Sequence, residues 1–232
     1  MNTCIQEALR EKRNLLEHEA LQLLQEYGIP VPGFQIVNTY QEAIEAAIDI
    51  GYPVTIKVVS QDILHKSDVG GVINGIKSNQ ELEKAWKRLR DNLYKNAAGA
   101  RIKGFLITAF CPDGVECISG IMRDCQFGTA ILFGLGGIFT EILQDTSLGL
   151  LPLTKGEAYE MISSIRGKKI LNGYRGMPVC NKEAIVELLL NLARMASEIP
   201  EIKELDINPF LARESGVLAV DARVLLNHLS ED

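Results

Sequence analysis

Between Gly51-Tyr52-Pro53 and the pair Gly70-Gly71 the chain runs through VTIKVV, residues 54–59. Every residue of that run but one is β-branched, a composition that suits a packed, pleated surface, so the run predicts a buried strand. The exception is Lys57. A buried ammonium is costly unless an anion meets it. Lys57 is therefore either a strand-edge lysine snorkelling to solvent or a phosphate ligand. Gly70 and Gly71 favour the second reading, because glycines let backbone N–H groups approach a polyphosphate closely. The chain has no G-x-x-x-x-G-K-[ST] and no G-x-G-x-x-G after a strand, which excludes a P-loop and a Rossmann fingerprint.

The surroundings of this strand alternate. Leu15, Leu16, Ala20, Leu23, Leu24 and Tyr27 recur at helical spacing until Gly28, Pro30 and Pro32 stop them. Thr39 caps a second helix with Ala43, Ala46, Ala47 and Ile50 on one side. A third opens at Ser78 or Asn79 and carries Leu82, Ala85, Trp86, Leu89 and Leu93 to about Asn96. From Lys103 to Gly137 three strands follow, with turns at Pro112-Asp113-Gly114 and near Asp124 to Gly128. A capping box from Thr154 to Glu157 starts a further helix, and Asn181 another, over about Lys182 to Glu198. Two closing strands, IKELDINPFLA and GVLAVDARVLL, meet at a Glu214-Ser215-Gly216 turn. The pattern predicts two α+β lobes, 1–104 and 105–232, with a ligand cleft of the kind that small molecules use.

The remaining bounds are charge and cysteine. A formal charge of -6, from 24 basic and 30 acidic residues, offers nothing that would attract nucleic acid or an anionic membrane. Any anionic ligand must be held by local groups. The cysteines, Cys4, Cys111, Cys117, Cys125 and Cys180, form no C-x-x-C pair, which predicts reduced thiols in an intracellular protein. The first residues show spread charges and no signal-peptide core, and no apolar run approaches the ~18 residues of a membrane span. A cytoplasmic location is the expectation.

A second pair of polar groups lies near the other end of the chain. In LDINPF, Asp206 and Asn208 share one side of a strand, since i and i+2 face the same way. In AVDAR, Asp221 projects from the neighbouring strand. Asn208 and Asp221 supply hard oxygen ligands that suit Mg²⁺ bridging nucleotide phosphates; read alone, DINP fits a surface turn equally well.

Six segments together, EALQLLQEYGIPVPG, GYPVTIKVVSQDILHKSDVGGV, FGLGGIFTEILQD, GYRGMP, ELDINPF and AVDAR, resemble the ATP-grasp β subunit of nucleoside-diphosphate-forming acyl-CoA synthetases. The nearest resemblance is to the ADP-forming acetate:CoA ligases, from about Leu15 to Leu226. Succinyl-CoA synthetase β chains share the fold and the Asn-Pro plus Asp pair, but their other segments are not recognised here. The resemblance implies an ATP-grasp fold and a reversible reaction in which acyl-CoA, ADP and phosphate give acid, CoA and ATP. It also implies a separate CoA-binding α subunit, in an α2β2-type hetero-oligomer, that carries a phosphorylated histidine. No CoA-binding Rossmann segment is present, so the chain is expected not to complete the reaction alone, and selectivity for the acid is expected to reside in the partner.

Residue by residue, the resemblance implies that Lys57 contacts nucleotide phosphates and that His65, in ILHKSDVGG, takes the phosphoryl group transiently. Imidazole suits that relay because a phosphoramidate is reactive in both directions; a solvated loop histidine is the plainer alternative. Backbone groups near Ala109 and Phe110, with Glu116 after the FCPDG turn, correspond to the hinge that binds adenine and ribose. Arg175 in GYRG meets phosphate or the partner, or simply holds its loop. Glu141 has no derived role, and His18 and His228 read as ordinary surface or helix-face histidines. One departure is Gln61 in SQD, where the family pattern has proline. The readings that remain beside the enzyme are a nucleotide-sensing or assembly subunit and a succinyl-CoA synthetase-like β chain.

Overall fold

The computed structural model describes residues 3–63, 65–137, 145–174 and 179–227. They divide into two compact units, one of Pro32–Pro112 and one of Met1–Val31 with Asp113–Asp232.

In the first unit, β1 (Phe34–Val37), α3 (Tyr40–Ile50), β2 (Val54–Ser60), β3 (Val72–Ile76), α4 (Asn79–Asn96) and β4 (Ile102–Ala109) follow one another. The four strands form an antiparallel sheet in the order β1-β4-β2-β3. Thr39 and Ser78 cap the two helices, each side chain accepting from the backbone N–H three residues on, as the sequence predicts. Val54, Ile56 and Val58 point into a core with Ala43, Ala46, Ala47, Leu82, Leu89 and Ile107. Trp86 fills it, its ring centroid 4.6 Å from Phe105 and 5.9 Å from Tyr40. The alternate residues Thr55, Lys57 and Val59 occupy the opposite face, and they are buried too.

The second unit begins with α1 (Thr3–Arg10) and α2 (Glu17–Glu26). It resumes with β5 (Val115–Asp124), β6 (Gly128–Leu135), β7 (Thr146–Leu150), α5 (Lys155–Ser164), α6 (Lys168–Leu171), α7 (Lys182–Glu198), β8 (Ile202–Arg213), β9 (Gly216–Ala219) and β10 (Ala222–Leu226). The sheet runs β10-β8-β5-β6-β7, with β9 also paired to β8. Helices α5 and α7 pack on one face, where Phe133 and Phe210 meet at 6.3 Å between ring centroids.

Two sequence expectations differ from this arrangement. The lobes are not 1–104 and 105–232. A cut after residue 104 falls inside β4, whose ladder with β1 and β2 ties it to the first unit. The leading helices belong with the last strands, because Leu15 N–H donates to Val224 O at 3.3 Å, Leu226 N–H to Asn14 Oδ1 at 3.0 Å and Ala219 N–H to Pro30 O at 2.8 Å. The closing strand over 216–226 is two strands, β9 and β10. It breaks opposite Pro209, which has no N–H to give the ladder, and Val220 N–H bonds Pro209 O at 3.0 Å there. Among the described residues no helix is long and apolar enough to cross a membrane.

Candidate functional site

In the first unit the groups of interest lie on β2, on the loop after it and at the end of β4. Lys57 is only 5% exposed, and β2 is an interior strand in which it pairs with Val72 and Leu106. A lysine snorkelling from an edge is thereby excluded. Beside it on the same face Thr55 Oγ1 donates to Asn74 Oδ1 at 3.0 Å, a polar contact that runs from buried β2 to the exposed Asn74 of the edge strand β3.

His65 is exposed on the connection from β2 to β3, and it borders a concavity of about 560 Å³ with Asp62, Asp68, Asn96 and the turn Ala97–Ala100. Inside the connection Asp68 N–H donates to His65 O at 3.3 Å, Gly70 N–H to Ser67 O at 3.0 Å and Gly71 N–H to Lys66 O at 2.7 Å. The expectation was that Gly70 and Gly71 offer their N–H groups to phosphate. Both are bonded within the loop, and the absent side chains serve close packing instead. A Cβ on Gly71 would lie 2.6 Å from Val58 Cγ1, and one on Gly70 would collide with Asn92 Nδ2. The entry to the loop is held by Asp62, which accepts from Arg101 N–H at 2.7 Å, Nε at 3.1 Å and Nη2 at 2.8 Å. Those bonds to Arg101 lower the Asp62 carboxyl to about 2.

Ala109 and Phe110 also differ from expectation. Their N–H groups donate to Gly33 O at 2.9 Å and Pro53 O at 3.0 Å. Adenine recognition by backbone donors at those two residues would compete with these bonds, which leaves the carbonyl oxygens as the available groups.

In the second unit Glu116 is exposed on β5. Its carbonyl accepts from Gly136 N–H at 2.7 Å, and a Cβ at Gly137 would lie 3.4 Å from its Oε2, so the glycine pair leaves the carboxylate uncrowded. Asn208 N–H donates to Asp221 O at 3.2 Å, which brings the two residues side by side where β9 gives way to β10. Asp221 thus sits in the gap rather than within a regular strand. On β8 the alternate positions Glu204, Asp206 and Asn208 share a side, and Arg223, opposite Asp206, reaches Glu204 Oε1 at 3.1 Å. Burial, opposed by Arg223 and reinforced by Glu204 and Asp221, pushes the Asp206 carboxyl above its ordinary value. Arg175, Glu141 and His228 lie outside the described residues.

The sequence reading passed over β7. Register places Leu148 beside Leu132, then Gly120, Asp206 and Arg223 across one row of the sheet. The next row runs from Leu150 through Ala130 to Met122 and Glu204. Leu148 and Leu150 are more than half exposed. One sheet face is therefore apolar at its β7 edge and acidic at β8. The alternation of leucine at 148 and 150 was the available signal, within a strand of five residues.

Hard oxygens at Asn208 and Asp221 fit a small divalent cation that also takes substrate phosphate oxygens. Among the described residues no group of three or more His, Cys, Asp or Glu is placed to hold a metal through protein ligands alone.

Comparison with known proteins agrees. The model of the ATP-grasp domain family matches residues 7–226. The β subunit of ADP-forming acetate–CoA ligase I from Pyrococcus furiosus is 45% identical over 222 residues, 96% of each chain. The structure of acetyl-coenzyme A synthetase 1 from Ca. Korarchaeum cryptofilum in complex with coenzyme A and Ca-AMPCP superposes with a TM-score of 0.94 at 40% identity, over 96% of this chain and 98% of that one. A form of the same enzyme with coenzyme A and Mg-AMPPCP, its phosphohistidine segment pointing towards the nucleotide site, gives 0.86 at 38% identity, over 97% and 98%. A buried strand lysine, a loop histidine, the Asn208–Asp221 pair and these likenesses converge: the chain belongs to the ATP-grasp family, among the β subunits of ADP-forming acetate–CoA ligases.

Proposed function

We propose that the chain is the nucleotide-binding, phosphoryl-transferring subunit of an ADP-forming acyl-CoA synthetase, acetyl-CoA being the substrate its relatives indicate. The single observation that carries the proposal is the Asn208–Asp221 pairing, two residues with hard oxygen side chains whose backbones are hydrogen-bonded at a break in the ladder. Asn208 and Asp221 would hold Mg²⁺, which when bound offsets the charge of the phosphates. Lys57, held away from water on β2, would offer nucleotide phosphates a fixed positive charge. The apolar end of the sheet, Leu148 with Leu150 and Met122, suits a purine ring, and Glu116 suits a ribose hydroxyl. Arg175 and the loop glycines remain assigned to the nucleotide neighbourhood on the family pattern alone.

His65 relays the phosphoryl group. Its imidazole nitrogen forms an N–P bond as the N–P bond to the partner's phosphohistidine breaks. The new bond then breaks as a β-phosphate oxygen of ADP bonds to phosphorus, giving ATP. CoA and the acyl group stay on the partner, which pairs with this chain in an α2β2 complex.

Titration calorimetry of the full chain with ADP, with and without Mg²⁺, tests the metal pair. Asp221→Ala should lose the Mg²⁺-dependent part of the affinity, about tenfold or more, because the carboxylate carries the only formal charge of the pair. Unchanged Mg-ADP affinity in that variant removes the assignment.

A further inference from the structure

The connection that carries His65 is fastened at both ends by side chains to which no part in nucleotide binding or phosphoryl transfer has been assigned. Where it returns to the sheet, Asn92 Nδ2 donates to Gly70 O at 3.0 Å and Asn96 Nδ2 to Val69 O at 3.3 Å. The two asparagines stand four residues apart on α4, so they lie on one helix face and grip consecutive carbonyls. Gly70 has φ +66°, and the space a Cβ would need is filled by Asn92. The loop therefore meets α4 at the closest approach a backbone allows, and only glycine permits it. At the entry, Asp62 takes three bonds from Arg101, and Ser60 Oγ donates to Arg101 O at 2.9 Å. Between these fastenings lie His65 and an internal turn closed by Gly71 N–H on Lys66 O.

We propose that Asn92, seated against Gly70, is a positioning residue for His65: it sets where the imidazole stands when the phosphoryl group passes to ADP, with Asn96 and the Asp62–Arg101 pair as its auxiliaries. The inference rests on the reading of His65 as the relay. It accounts for the glycine at position 70, where Asn92 fills the space of a side chain, and it gives α4 a part in transfer that its sequence, an ordinary amphipathic helix, does not announce. The physical reason is the steepness of catalysis in distance. Backbone carbonyls held by side-chain donors fix a loop to a fraction of an ångström, and a displacement of about 1 Å at a reacting atom costs on the order of a hundredfold in rate. Glutamine would reach too far, and leucine, with the branching of asparagine but bulkier methyl ends, has no donor.

The test uses the full chain and phosphoramidate, a small donor whose phosphoryl group passes to imidazole with release of ammonia. Wild type should load an acid-labile, base-stable phosphate on His65 and discharge it to Mg-ADP as ATP; His65→Ala should do neither. Asn92→Leu should load at the wild-type rate, since a small donor finds the imidazole wherever the loop stands. It should bind Mg-ADP within about twofold of wild type, yet discharge about tenfold to a hundredfold more slowly. Asn92→Asp, equal in shape but unable to donate, should behave likewise, and Asn92→Ser, shorter but able to donate, should recover part of the rate. Discharge from Asn92→Leu and Asn92→Asp at the wild-type rate overturns the positioning role while leaving the relay intact. Equal losses of loading, discharge and thermal stability overturn it as well, by showing general damage. Failure of loaded wild type to make ATP removes the relay and the inference with it, and the His65→Ala control identifies that outcome.

Discussion

Asp206 illustrates how a residue's surroundings, and not its identity, set its behaviour. Burial of its carboxyl raises its folded pKa; Arg223 opposes the rise, and Glu204 and Asp221 add to it. A raised carboxyl pKa means that the folded chain binds more protons than the unfolded one between the two values, and stability falls as pH rises through that window. Asp206→Asn should therefore unfold at higher temperature than wild type at pH 7 without nucleotide, and the difference should vanish as pH falls below about 3.9. Thermal unfolding from pH 3 to 8 checks this; a variant less stable than wild type at pH 7 contradicts it. Asp62 shows the opposite sign. Its pKa is lowered by Arg101, so the contact contributes above about pH 3.9 and is lost as pH falls towards 2. Both residues could be seen in the sequence, but neither shift could. A charge's neighbours come from strands and turns distant along the chain, as Arg101 is from Asp62.

At the scale of elements, the sequence reads best where a cap and a long stripe coincide. Helices α3, α4, α5 and α7 start behind Thr39, Ser78, Thr154 and Asn181, each with a side-chain cap bond. Four- and five-residue strands such as β1 and β7 have too little length for a period to declare itself. The end of α7 adds a contact no local pattern contains. Arg123 of β5 donates Nε to Ile202 O at 2.6 Å, Nη2 to Ile199 O at 3.0 Å and also to Ala196 O, and Nη1 to Thr129 Oγ1 at 2.8 Å. Of these, Ala196 O belongs to the last turn of α7, whose carbonyls lack intrahelical partners, and the guanidinium serves it at the negative end of the helix dipole. Arg123→Ala should cost about 2–3 kcal/mol in denaturant unfolding, the size of hydrogen bonds to a charged group. Arg123→Lys should recover only part, since an ammonium lacks the planar fork. Equal stabilities for the alanine variant and wild type would show that water replaces those bonds without loss.

For the whole molecule, the expected division of labour is the prediction with most at stake. The purified chain should bind Mg-ADP yet form no ATP from acetyl-CoA, ADP and phosphate, and co-expression with a CoA-binding partner should restore turnover. Robust synthesis by the chain alone contradicts it. The same scale separates what each level of description settles. Sequence alone determined the family and the alternation of helices and strands, and it singled out Lys57, His65, Asn208 and Asp221. Those features rest on side-chain type and spacing within a few residues, where chemistry is local. Tertiary structure alone decided that Lys57 lies on an interior strand, because edge or centre depends on which strand pairs beside it. It decided that the first 31 residues join the last strands, through backbone bonds that cross most of the chain's length. It decided, too, that Gly70 and Gly71 spend their N–H groups on the loop itself, since a donor's partner is fixed by a fold's three-dimensional path and leaves no trace in the residue that donates.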